Sequence, residues 1–231
     1  MAASLDTRST RRLPVIGLYR RSVSIFLGAL VLFLVAMPLT QYLADAGLLE
    51  GPLLAIVLIA GVLAVGGRRR SLLLAASLAV PALVARGLWH YWPDPYLHGL
   101  FLVLGALLLL QVTVHLLHFI VRAPLVDAEV LAAGIATYLV LGIMWGIFYL
   151  LVGFLEPNAF SVPAAEGARK GIEGYDALYF SFVTLTTIGY GDITPVAPFA
   201  RMLAIAEATI GTLYLAVLIA RLVTLYTERR S

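Results

Sequence analysis

The sequence predicts an all-α membrane protein: six transmembrane helices, with a short re-entrant helix and a glycine-containing loop between the last two. Three observations predict it. The chain of 231 residues is 61% hydrophobic and only 13% charged, against roughly 25% charged residues in soluble domains. Six apolar runs approach the about 20 residues that a helix needs to cross a bilayer. The arginines stand at the ends of those runs and collect on one side when the runs alternate across a membrane.

Val23–Leu43, the first run, carries no charge. Arg20 and Arg21 before it and Ala44–Gly47 after it resemble a cleaved secretory signal, but the run exceeds the usual core of about 7–15 residues, so a retained helix is expected. Pro52–Gly66 is short and uncharged. Ser71–Tyr91 contains Pro81 and, near its end, Arg86, which is expected to snorkel to the outer interface. Leu97–Val121 and Val130–Leu155 contain no Asp, Glu, Lys or Arg, and Met202–Ala220 contains Glu207 alone.

Orientation follows from the basic residues. Arg8, Arg11, Arg12, Arg20 and Arg21 precede the first run, and Arg68, Arg69 and Arg70 follow the second. Arg122 follows the fourth, and Arg221, Arg229 and Arg230 end the sixth. The other side holds Arg86, Arg169, Lys170 and Arg201, and the aromatic cluster Trp89, Tyr91, Trp92 and Tyr96. Both termini are therefore expected in the cytoplasm, in a multi-pass protein of the cell membrane. The net charge of +3 does not point to nucleic acid, because the arginines form no continuous face. Without cysteine there are no disulfides or thiolate metal sites.

The chain divides at residues 122–129, where Pro124 and the charges predict a helix break and a cytoplasmic linker. Residues 1–22 form a cytoplasmic N-terminal segment, 23–121 a four-helix domain, 130–227 a second domain and 228–231 a short tail. Between the last two runs, Pro157–Gly174 reads as a surface loop. Asp176–Thr187, "DALYFSFVTLTT", is apolar but too short to span, with Asp176 as its expected N-cap. An apolar half-length helix on one side of a membrane must be re-entrant. Irregular backbone at that depth survives only where it lines protein or water.

"TTIGYGD", Thr186–Asp192, follows that helix. The C-terminal end of the helix points toward the bilayer centre, where its dipole favours a cation. Gly189 and Gly191 admit backbone conformations closed to other residues, so the strand can turn its carbonyl oxygens to one side. Several copies around an axis would let those oxygens replace an ion's hydration shell. Thr187 adds a hydroxyl, Tyr190 points outward and braces the ring from behind, and Asp192 caps the outer end and concentrates cations.

This motif resembles the signature of potassium channels, with Ile188 where many members have Val. The resemblance covers Val130–Tyr226, about two fifths of the chain. It implies a homotetramer in which each chain supplies one pore helix and one filter strand, Thr187, Ile188, Gly189, Tyr190 and Gly191, with Asp192 at the outer mouth. The permeant K+ is the only ion implied, and no cofactor. Gly211 stands where similar bacterial channels place a hinge glycine. Thr212, Leu215, Ala216, Ile219 and Val223 share one face of a 3.6-residue helix, which by resemblance lines the inner cavity and an apolar gate.

The front helices depart from the voltage-gated pattern, in which the fourth helix carries a basic residue at every third position. Leu97–Val121 has none, so strong voltage gating is not expected. Gln111, His115 and His118 share a face of that helix. A polar stripe packed on neighbours is the plainer reading; a proton sensor and a metal site are the alternatives. Ser181, Thr184 and Thr186 are expected to satisfy local backbone groups. Glu207 should point away from the cavity face, toward the pore helix or a neighbouring subunit. There it is either protonated or bonded to groups such as Tyr179 or Thr184, and braces the filter. The few residues after Arg221 suggest no cytoplasmic ligand-binding domain. The expected function is passive, potassium-selective conduction. The alternatives are a modulatory subunit that does not conduct alone and a transporter with one broken helix. No carboxylate pair, nucleophile–base pair or phosphate loop suggests an enzyme.

Overall fold

The computed structural model of the chain describes residues 13–42, 47–64, 69–123, 125, 127–162 and 171–228. Arg8, Arg11, Arg12, Arg68, Pro124, Arg169, Lys170, Arg229, Arg230 and most of the Ala44–Gly47 stretch lie outside the described residues, as do the side chains of Arg20 and Arg21.

Seven α-helices carry the described fold: α1 Leu13–Ala36, α2 Gly47–Ala64, α3 Arg69–Tyr91, α4 Pro95–Arg122, α5 Ala128–Leu155, α6 Gly174–Leu185 and α7 Pro198–Glu228. A 3-10 turn, Met37–Tyr42, continues α1. Five of the described helices are long and apolar enough to cross a membrane: α1, α3, α4, α5 and α7. The second run forms α2, which begins at Gly47, ahead of the expected Pro52. Its 18 residues reach about 27 Å, just short of a hydrocarbon core of about 30 Å.

Side-chain caps start α4 and α5. Asp94 accepts from Tyr96 N at 2.7 Å with Pro95 at the first position of α4. Asp127 accepts from Glu129 N at 3.1 Å and Val130 N at 3.0 Å and so starts α5. The expected cap of α6 differs: the helix starts at Gly174 after Glu173, which makes no side-chain cap bond, and Asp176 lies in the first turn. There its charge complements the helix dipole without capping.

Helix α5 is apolar around its whole circumference and is the central post, packed by α1, α4, α6 and α7. Ala75, Ala79, Ala82 and Ala85 form a buried small-residue stripe on α3, which packs against α4. The Pro157–Gly174 stretch is not wholly irregular. Phe160–Ser161 (β1) pairs antiparallel with Thr194–Pro195 (β2), closing the outer segment around α6.

Two polar side chains of the front domain make contacts within it. The Arg86 guanidinium lies 4.7 Å from the centroid of the Trp89 ring. Gln111 Nε2 donates to Ser71 O at 3.1 Å and joins α4 to α3. His115 is half-buried and His118 and Arg122 are exposed, so the polar stripe does not converge on one point. Among the described residues no group of three or more His, Asp or Glu could hold a metal ion.

Candidate functional site

The site begins where α6 ends. Thr187 N donates to Thr184 O at 2.9 Å, and Ile188 N and Gly189 N both reach Val183 O, at 3.0 and 3.3 Å. The chain then runs extended through residues in alternating handedness: Thr187 has φ 59°, Gly189 φ 60° and Gly191 φ 78°, while Ile188 and Tyr190 are not left-handed. Alternation of this kind flips every second peptide, so successive carbonyls turn toward the same side. At the glycines it costs little. Thr187, β-branched, holds a conformation that costs roughly 1–2 kcal/mol.

The outer end is tied to the same helix. Tyr179 Oη donates to Asp192 Oδ2 at 2.7 Å, and Ile193 N donates to Asp192 Oδ1 at 2.9 Å. The Tyr179 hydroxyl, helped by the Ile193 amide, holds the Asp192 carboxyl below its ordinary range. The Tyr190 ring stacks on Tyr179 with centroids 6.5 Å apart and planes 6° apart. Residues 186–192 are all exposed in the single chain.

Behind this loop, α7 presents a stripe at helical spacing: Glu207, Gly211, Tyr214, Leu218 and Arg221. Glu207 is fully buried. One carboxyl oxygen meets the Tyr149 hydroxyl of α5; the other lies 2.6 Å from Ser181 Oγ of α6, itself 2.6 Å from Gly142 O. The expected partners Tyr179 and Thr184 are not used. On a helix Tyr179 and Ser181 stand about 200° apart, so only one can face α7, and Tyr179 faces Asp192. Ser181, expected to bond locally, instead bridges helices, whereas Thr186 Oγ1 does bond Phe182 O at 2.6 Å.

Gly211 is buried against the end of α6, where a Cβ would lie 2.6 Å from Leu185 O and 2.7 Å from Leu185 Cδ1. Helix α7 runs through it unbroken. Tyr214 Oη donates to Gly134 O at 2.7 Å. Arg221 Nη2 donates to Val121 O at 2.6 Å and Ala123 O at 3.0 Å, carbonyls at the C-terminal end of α4. Thr212, Leu215, Ala216, Ile219 and Val223 are all exposed, outside that stripe.

The sequence model of the family described as "Ion channel" matches residues 135–228, the stretch that holds most of α5, all of α6, the loop and α7. Protein LctB of Geobacillus stearothermophilus is 50% identical over 80 residues, covering 33% of this chain and 59% of that protein. An inward rectifier potassium channel of Paramagnetospirillum magnetotacticum is 38% identical over 86 residues, covering 33% of this chain and 29% of that protein. A voltage-gated potassium channel of Aeropyrum pernix is 32% identical over 80 residues, covering 34% of this chain and 24% of that protein. The stretch 135–228 thus matches ion channels, and over about a third of its length the chain is similar to potassium channels. It is a multi-pass membrane protein and not an enzyme. The matches span from about a quarter to three fifths of these relatives' lengths. No solved structure matches the chain.

Within this chain, residues 187–192 form one exposed loop between α6 and β2. Tyr149, Ser181, Tyr179 as the partner of Asp192, and Arg221 as a bond across helices were missed. Their partners lie far away in sequence: Tyr149 and Glu207 are 58 positions apart. A register argument on α6 could have found Ser181, since Tyr179 and Ser181 cannot face the same way.

Proposed function

We propose that this chain is a potassium-selective channel subunit that conducts K+ passively as a homotetramer, with Thr187–Gly191 as its filter. The observation that carries the reading is the alternation of left-handed residues at 187, 189 and 191, in a strand held at both ends by one short helix. Carbonyls turned to one side, repeated around a fourfold axis, supply the oxygen rings that replace a hydration shell. Ile188 and Tyr190 are the residues between, and the stacking of Tyr190 on Tyr179 supports its bracing role. Asp192 is the outer-mouth carboxylate that draws in cations.

Assembly is supported by α7, of which only 11% is buried over Pro198–Val223. A tetramer covers part of that surface and leaves Thr212, Leu215, Ala216, Ile219 and Val223 lining the inner cavity and its apolar constriction, with Gly211 as the hinge above. Glu207 braces the filter from behind. Arg69, Arg70, Arg122 and Arg221 mark the cytoplasmic end of the cell-membrane protein. The uncharged middle of α4 favours gating with weak voltage dependence.

The test is flux through purified protein in liposomes. Reversal potentials in mixed potassium and sodium should follow potassium, and Gly189→Ala, at φ 60°, should abolish conduction. Equal permeability would overturn the selectivity. A tetramer that passes no current alone would favour the modulatory subunit.

A further inference from the structure

Three oxygen–oxygen contacts meet around Glu207, and counting their protons assigns its chemical form. Ser181 Oγ is 2.6 Å from Gly142 O and 2.6 Å from Glu207 Oε1. The Tyr149 hydroxyl closes on Glu207 Oε2. Contacts this short between oxygens each need a proton. Gly142 O is a carbonyl and can only accept, so the Ser181 proton must lie on that line. A serine hydroxyl has no second proton to give. Sharing one proton between two acceptors lengthens both contacts, and neither is longer than the ordinary hydroxyl bond of about 2.7–2.8 Å. The Tyr149 proton occupies the third contact. The remaining proton, between Ser181 Oγ and Glu207 Oε1, comes from the carboxyl itself.

We propose that Glu207 is a hydrogen-bond donor, a neutral carboxylic acid that gives its proton to Ser181 and accepts one from Tyr149, and so positions the helix that carries the filter strand. The clamp joins three elements: α5 through Tyr149 and Gly142, α6 through Ser181, and α7 through Glu207. Two hydroxyls bond the carboxyl, the Tyr138 hydroxyl of α5 lies within electrostatic range of it, and no basic side chain is bonded to it among the described residues. An ionised carboxylate in that place would lack a counter-charge inside a membrane. Ser181 stands two residues before Val183, whose carbonyl anchors the start of the filter strand. Fixing Ser181 therefore fixes the depth and rotation of α6, and with them the strand. This positioning role rests on the filter reading above; the protonation state does not.

The experiment has two arms. Infrared spectra of the purified protein at neutral pH, in light and heavy water, should contain a protonated-carboxyl stretch that disappears in Glu207→Gln and shifts in Ser181→Ala. This arm needs no current and stands even if the chain does not conduct. In the second arm, Glu207→Gln should keep the parent's thermal midpoint and filter open times, because an amide donates to Ser181 and accepts from Tyr149 as a neutral acid does. Ser181→Ala and Glu207→Leu should shorten open times several-fold at unchanged potassium selectivity. Absence of the carboxyl band would overturn the neutral form. Open times in Gln as short as in Leu, in a folded tetramer, would overturn the donor role.

Discussion

Tyr179 Oη donates to Asp192 Oδ2 at 2.7 Å, which closes a loop that leaves α6 at Val183 and returns to it one turn earlier. Removing that hydroxyl frees the outer end of the strand. Tyr179→Phe should leave folding intact and shorten filter openings in single-channel records, with unit conductance close to the parent's. Openings of unchanged length would show that the bond does not hold the strand.

The same bond sets a pH dependence. Asp192 is held below the ordinary carboxylate range by the Tyr179 hydroxyl. A depressed acid contributes stability that is present above the unfolded value, about 3.9, and is lost as pH falls through the lower folded value. Filter openings should therefore persist through mild acid and fail only below the usual carboxylate range. In Tyr179→Phe the failure should begin at higher pH. Identical acid profiles for parent and variant would refute the coupling.

Gly211 meets the end of α6 too closely for any side chain: a Cβ there would lie 2.6 Å from the Leu185 carbonyl oxygen. Gly211→Ala should cost about 1–3 kcal/mol through overpacking, read as a lower thermal midpoint. Gly142→Ala puts a Cβ 2.5 Å from the Phe182 ring, but a ring can turn where a helix end cannot. It should therefore cost less than Gly211→Ala, and the opposite order would show that α6 yields more readily than Phe182.

Arg221 satisfies two carbonyls at the end of α4 and so links the last helix to the front domain. The prediction is that Arg221→Met, which keeps the length and removes the donors, raises open probability by loosening the C-terminal end of α7. Open probability equal to or below the parent's would rule the link out as a restraint on opening.

Voltage should matter little. The charge at the end of α4 is Arg122, outside the apolar stretch. Each charge moved through the field supplies about 2.3 kcal/mol per 100 mV. Open probability measured across about 200 mV should be nearly flat; a steep sigmoid would place the moving charge elsewhere.

The helix break between Arg122 and Ala128 and the short helix ahead of Thr187 were legible because each rests on spacing within one segment. Glu207 could be turned away from the cavity face by counting 100° per residue. Its partners could not be named, because Tyr149 and Ser181 come from other helices whose rotation about their own axes the sequence does not set. Asp176 looked like a cap because an acid precedes an apolar run, yet α6 starts two residues earlier on Gly174. The closeness of the first helix to α5 had no local signal at all. From Val23 onward the first helix is, like α5, an uncharged apolar run, and such faces do not say which neighbour they meet.

Under the proposed opening, Gly211 would also be a fulcrum. A side chain there would meet the end of α6, and a bend placed there would turn α7 about its own bearing. About 25 Å of lever lies on the C-terminal side, so a tilt of about 10° would carry its tip roughly 4 Å. At the bearing itself the displacement is close to zero. A C-terminal arm hinged there would swing through a distance that opens an apolar ring while the strand beyond the bearing keeps its place.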